Sequence, residues 1–164
     1  MSTNIKFFLL CPIPEDQKPI NEYIGLKENS LTNWTTLSRK YYERKVRSFF
    51  LVIFSLVSFL NLSDLELGGM WFVNNLLITT LVFVTLCFII IFRWSEVQKR
   101  FDSPRLVYEE VSWYDAQIWD KPLIIIKNDR LISTQKITPI LNRLKRTTYF
   151  FSYISFLLVL FIIL

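Results

Sequence analysis

The sequence predicts an all-α membrane protein with three short transmembrane helices, and three observations carry that prediction. Hydrophobic residues make up 52% of the 164-residue chain, a high share for a soluble domain of this size. The charged 20% is absent from three apolar runs at residues 48–61, 70–92 and 149–164, and such segregation marks a chain whose solvent changes along its length. Lys and Arg are partitioned as well: eight precede the first run, none lies between the first and second, and eleven fall between Arg93 and Arg146.

From the N-terminus, residues 1–33 hold Pro12, Pro14 and Pro19 among polar stretches and read as an extended or turn-rich arm. The basic segment WTTLSRKYYERKVR, residues 34–47, has helical character and runs without a breaker into SFFLVIFSLVSFLNL. The expectation is one helix with a wet, basic start and a dry end. Its uncharged part, 48–61, covers about 21 Å against a hydrocarbon thickness of roughly 30 Å. Snorkelling by Lys45 and Arg47 extends that reach, so the run is expected to cross.

The connector 62–69 carries Asp64, Glu66 and the pair Gly68-Gly69, which suits a tight turn between antiparallel helices. Residues 70–92 then give about 34 Å of uncharged helix, enough to span with some tilt. The helix is expected to continue to Arg100, with Arg93 and Trp94 as interfacial anchors and Pro104 as its limit. The β-branched and aromatic RLVYEEVSWY suggests a short strand or extended segment. In KPLIIIKNDRLIST the Ile124–Ile126 run is strand-like while Leu131 and Ile132 allow a helix, and both readings stand. Thr138 and Pro139 suit an N-cap and first helical residue leading into the last span.

The organisation is thus an arm and basic lead-in (1–47), a transmembrane hairpin (48–92), a loop region (93–148) with short strand or helix elements, and a C-terminal span (149–164). The positive-inside rule puts the arm and second loop on one side, and the first connector and C-terminus on the other.

Charge and composition exclude several functions. The net charge of +5 flanks apolar runs rather than forming a basic stripe interleaved with aromatics, so nucleic acid is not an expected partner; the lipid bilayer is. Two cysteines, Cys11 and Cys87, give neither a disulfide framework nor a CxxC pair, and with no His the usual zinc ligands and proton shuttle are missing. The runs carry no Pro and no ionisable group besides the Cys87 thiol and the Tyr149 and Tyr153 phenols, which disfavours a transporter acting alone. Asn74, Asn75, Thr79, Thr80 and Thr85 read as hydrogen bonders between helices.

Three motifs are candidates for binding. YEEVSWYDAQIW gathers Glu109, Glu110 and Asp115 among Tyr108, Trp113, Tyr114 and Trp119. Clustered carboxylates suit a divalent metal or acid–base work, but a packed aromatic cluster with charge-paired carboxylates is the favoured reading. CPIPEDQKPINEY, with Cys11, Pro12 and Pro14, reads as a rigid docking arm rather than a reactive or acylated thiol. DRLISTQKITPILNRLK, with Asp129 and Arg130, reads as a packed lead-in to the last span before it reads as a binding site.

One Ala and three Gly against fifteen Phe, with abundant Ile, Asn and Lys, indicate AT-rich coding such as an organelle genome uses. The short run Phe7–Cys11 is closed by Pro12 and lacks a cleavage site, and the start is not transit-like, so synthesis within the organelle is expected. Taken together, these three ordered motifs resemble the Ycf thirty-six family of small membrane proteins, encoded in algal plastids and cyanobacteria, with green-plant and diatom relatives. The likeness runs from about Cys11 into the last span. It implies a plastid (chloroplast), thylakoid-type membrane, which makes the basic side stromal; it implies no reaction, cofactor or catalytic residue. The resulting expectation is a non-enzymatic platform that presents the three motifs on the stromal side to a protein partner of the photosynthetic membrane machinery. The alternatives are a membrane-bound enzyme or metal and ligand handler using Glu109, Glu110 and Asp115, and an accessory transporter subunit.

Overall fold

The computed structural model describes residues 13–62, 68–109 and 116–164, and they are mostly helical. Five α-helices occur among them: α1 (Pro19–Glu28), α2 (Arg39–Leu60), α3 (Gly69–Asp102), α4 (Leu123–Ile132) and α5 (Thr138–Ile163). A two-stranded antiparallel hairpin, β1 (Arg105–Glu109) and β2 (Ala116–Asp120), stands between α3 and α4.

Helix α1 corrects the expectation of an extended arm. Pro19 occupies the first helical position, where its fixed φ helps and its missing N–H costs nothing, with Glu22 in the first turn and Lys27 in the last to complement the helix dipole. Pro19, read as part of an extended or turn-rich arm, is therefore a helix start.

Helix α3 is the spine, about 51 Å long at 1.5 Å per residue. Its buried residues include Asn75, Thr79, Phe83, Cys87, Trp94, Val97 and Phe101, spaced by four, three or seven, so they form one stripe along the helix. That periodicity corrects the anchor role expected for Trp94. Trp94 lies on the stripe, is fully buried, and meets the Tyr23 ring edge-on at 5.8 Å.

Three phenylalanines, one from each long helix, tie the bundle together: Phe151 of α5 lies 5.2 Å from Phe50 of α2 and 4.7 Å from Phe83 of α3. At one end, Asn61 Nδ2 donates to Asn75 Oδ1 at 2.7 Å, and Trp71 Nε1 donates to the Asn61 carbonyl at 2.7 Å. Asn75 thus bonds between helices as expected, whereas Thr79, Thr80 and Thr85 bond back to carbonyls of their own helix. At the end of the connector, Gly68 has φ +59°, a conformation that suits glycine.

Between α4 and α5 the chain makes a π-turn at Ser133–Ile137 instead of breaking. This corrects Thr138 as an N-cap: the residue before it is helical, and the Thr138 hydroxyl donates to the Ser133 carbonyl at 3.0 Å. The wider hydrogen-bond spacing of a π-turn accommodates Pro139, which has no N–H to offer the preceding turn. Residues 123–163 therefore form one continuous helical path, which also settles 123–132 as helix rather than strand.

Two of these helices, Gly69–Asp102 and the joined Leu123–Ile163, are long and apolar enough to cross a membrane. Helix α2 is not among them, because six of its first nine residues are charged and only its second part is apolar. The side chains are distributed in an unusual way. Much of the buried core, including Trp94, Val97, Phe101, Ile137, Leu141 and Leu144, lies outside the apolar runs. The runs instead turn large apolar groups outward, among them Phe59, Phe72, Phe88, Phe92, Phe156 and Phe161.

Candidate functional site

The head of the molecule is the end where α1, the hairpin and α4 gather around the last turns of α3. Ile13, Leu106 and Tyr108 are buried together there, with Trp119 packed against them. The hairpin register explains this: Leu106 pairs with Trp119 and Tyr108 with Gln117 on one face, leaving Val107 and Ile118 paired on the other. The inner face is closed further by the Tyr108 hydroxyl donating to Gln117 Oε1 at 2.8 Å.

Beside that cluster lies a cleft of about 450 Å³. Pro19 and Ile20 of α1, Leu106 and Trp119 of the hairpin, and Ile125, Leu131 and Ile132 of α4 give it a mainly apolar lining. Each of the three sequence motifs contributes to it: Ile13 and Pro19 from the first, Trp119 from the second, Asp129 from the third.

At its base sits Lys121, whose side chain is 1% exposed. Its ammonium donates to Asp129 Oδ2 at 2.6 Å, to the Arg100 carbonyl at 2.8 Å and to the Phe101 carbonyl at 3.4 Å. The two carbonyls belong to the last turn of α3, where helix carbonyls lack intrahelical partners and the dipole favours a cation. Lys121 is thus a helix cap delivered from the end of β2, with Asp129 as its counter-ion. Burial pushes the Asp129 carboxyl above its ordinary range, and the Lys121 hydrogen bond and charge oppose that rise. A second tie joins α1 to α3 through the Glu22–Arg100 ion pair. Burial also raises the Glu22 carboxyl; Arg100 opposes the rise and Glu96 adds to it.

Of the residues singled out in the sequence, Trp119 and Asp129 line the cleft, and Tyr108 is buried behind it. Pro14 precedes the cleft and accepts the Gln17 N–H at 3.0 Å through its carbonyl, while Arg130 is exposed on α4. The backbone of Glu109 ends β1 opposite Ala116. Cys11, Pro12, Glu110, Trp113, Tyr114 and Asp115 lie outside the described residues. Among the described residues no three His, Cys, Asp or Glu side chains group closely enough to hold a metal ion. Sequence reasoning missed Lys121 and Ile13. An eight-residue separation from Asp129 gives no helical-face signal for the lysine, and a lone Ile between two prolines gives none at all.

The fold and its site define a helical protein with two membrane-length helices and a small head closed by a hairpin. A family model described as "CGLD27-like: Conserved in the green lineage and diatoms 27" matches residues 11–150, and the chain belongs to that family. It is 38% identical over 143 residues to uncharacterized protein ycf36 of Porphyra purpurea, covering 84% of this chain and 85% of that one. It is 36% identical over 145 residues to the ycf36 protein of Pyropia yezoensis, covering 87% and 88%. To the protein "Conserved in the green lineage and diatoms 27, chloroplastic" of Arabidopsis thaliana it is 34% identical over 142 residues, 82% of this chain and 42% of the relative. No solved structure matches the chain.

Proposed function

We propose that the chain is a multi-pass plastid membrane protein whose head, on the stromal side, is a docking platform for a protein partner of the photosynthetic membrane machinery. The membrane reading is supported by the outward-facing phenylalanines of the apolar runs. A surface of that size and composition is unfavourable in water and ordinary in lipid. Three crossings fit the charge partition, with α2 assisted by its basic lead-in, and the chloroplastic relative supports the plastid location.

The observation that carries the platform reading is the convergence of three segments, more than a hundred residues apart at their extremes, on one open apolar cleft. A cleft lined by Ile20, Trp119 and Leu131 over a fixed charge pair suits an apolar anchor from another protein. The test is affinity purification of a tagged chain from the native organelle in mild detergent, beside the variants Leu131→Asp in the cleft and Leu123→Asp outside it. The expected result is a near-stoichiometric partner that Leu131→Asp loses and Leu123→Asp keeps. Recovery of the chain alone, or equal retention by both variants, counts against the platform.

A further inference from the structure

Two arginines stand where α2 and α5 enter the apolar runs. Arg47 ends the charged part of α2, and Arg146 is the last charged residue of α5. The helices are joined at this level by the hydrogen bond between the Tyr42 hydroxyl and Thr147 Oγ1, 2.8 Å long. Over that joint runs a groove of about 580 Å³ with Arg47 and Arg146 at its rim and Val46, Phe150 and Phe151 in its wall.

The charge in this groove is unbalanced. Among the described residues, neither the Arg47 nor the Arg146 guanidinium makes a hydrogen bond or ion pair. The one carboxylate lining the groove, Glu43, accepts from Arg39 at 3.0 Å. A second groove, of about 540 Å³, shares Arg47 and adds Arg44 before descending along Leu51 and Val52. Arg44 lies over the Tyr41 ring at 5.8 Å, so Arg47 is the unpaired guanidinium that the two grooves share, and both pass from it directly onto exposed apolar side chains.

We infer that these grooves hold one two-chain anionic lipid. Its phosphate or sulfonate headgroup is bridged by Arg47 and Arg146, one chain lies along Phe150 and the other along Leu51 and Val52. Guanidinium groups match tetrahedral oxyanions with paired N–H donors, and basic pockets between membrane helices on the positive side suit such headgroups. A soluble acidic partner would satisfy the charge but leave the apolar half of each groove unused. The inference rests on the membrane reading above and not on the platform reading.

The experiment titrates phosphatidylglycerol, and phosphatidylcholine of the same chains, onto the purified full chain in detergent, with bound lipid counted by native mass spectrometry. The variants are Arg47→Gln with Arg146→Gln, each single change, and the control Lys127→Gln with Lys136→Gln, which removes the same charge elsewhere. The expected result is selective phosphatidylglycerol binding, weakened about 10- to 30-fold in the arginine double variant and little in the control. Circular dichroism checks the fold, and if the double variant misfolds, the single variants should each lose about 3- to 5-fold. Equal binding of the two lipids, unchanged binding in the arginine variants, or equally tight binding of glycerol phosphate without chains would each overturn the inference. Resistance of the chain to carbonate extraction reports on membrane embedding separately, so loss of the lipid site and loss of the membrane reading are told apart.

Discussion

Lys121 holds the head together at the scale of a single side chain, because its three donors reach three acceptors on two other elements. Replacing it by Met would leave the Asp129 carboxylate and two helix-end carbonyls without their partner in a largely dry site. The expected loss is about 3 kcal/mol of stability, read as a lower unfolding midpoint in detergent, and Asp129→Asn should cost less because an amide oxygen can still accept from the Lys121 ammonium, which also keeps its two helix-end carbonyls. Glu22 gives a test through pH. Its carboxyl is raised from the ordinary 4.5, so the folded state holds the proton more tightly than the unfolded chain does. Its contribution to stability therefore grows as pH falls through the window above 4.5 and is lost as pH rises. Glu22→Gln should remove that part of the slope, flattening midpoint against pH across the window.

At the scale of elements, the π-turn at Ser133–Ile137 sets which face of α5 meets α3. It contains one residue more than a regular turn would use, and one residue is worth about 100° of helix rotation. Deleting the exposed Gln135 should swing Ile140, Leu141 and Leu144 out of the core, with collapse of thermal stability and poor accumulation in the membrane. This turn was not legible in the sequence, where Thr138-Pro139 has the composition of a helix start. The stripe on α3 was closer to legible, since Asn75 and Thr79 stand out as polar residues in an apolar run. Trp94 shows the limit of such reading: its position beside Arg93 suggests an interface, and only its phase with Phe83 and Cys87 assigns it to the core. The cleft could be read only as three separate motifs. Their meeting depends on α3 carrying the chain back to the arm, and no local spacing encodes that.

At the scale of the whole molecule, the distribution of side chains fits the two solvents of the proposed membrane topology. The proposed topology predicts that, in a Cys11→Ser, Cys87→Ser background, Lys127→Cys and Asp64→Cys will react with an impermeant maleimide from opposite faces of sealed membrane vesicles. Labelling of both from one face would remove the hairpin topology and with it the sidedness of the head.

Helix α3 runs from the connector to the hairpin as a single rod, held at one end by the Asn61–Asn75 bond and at the other by Lys121. A rod of about 51 Å is a lever: a tilt of about 10° carries its tip through roughly 9 Å. Bilayers of different thickness impose different tilts on a helix of fixed length. On the proposed membrane reading, the orientation of the head is geared to the thickness of the bilayer, and the cleft faces its surroundings differently in a thin bilayer and a thick one.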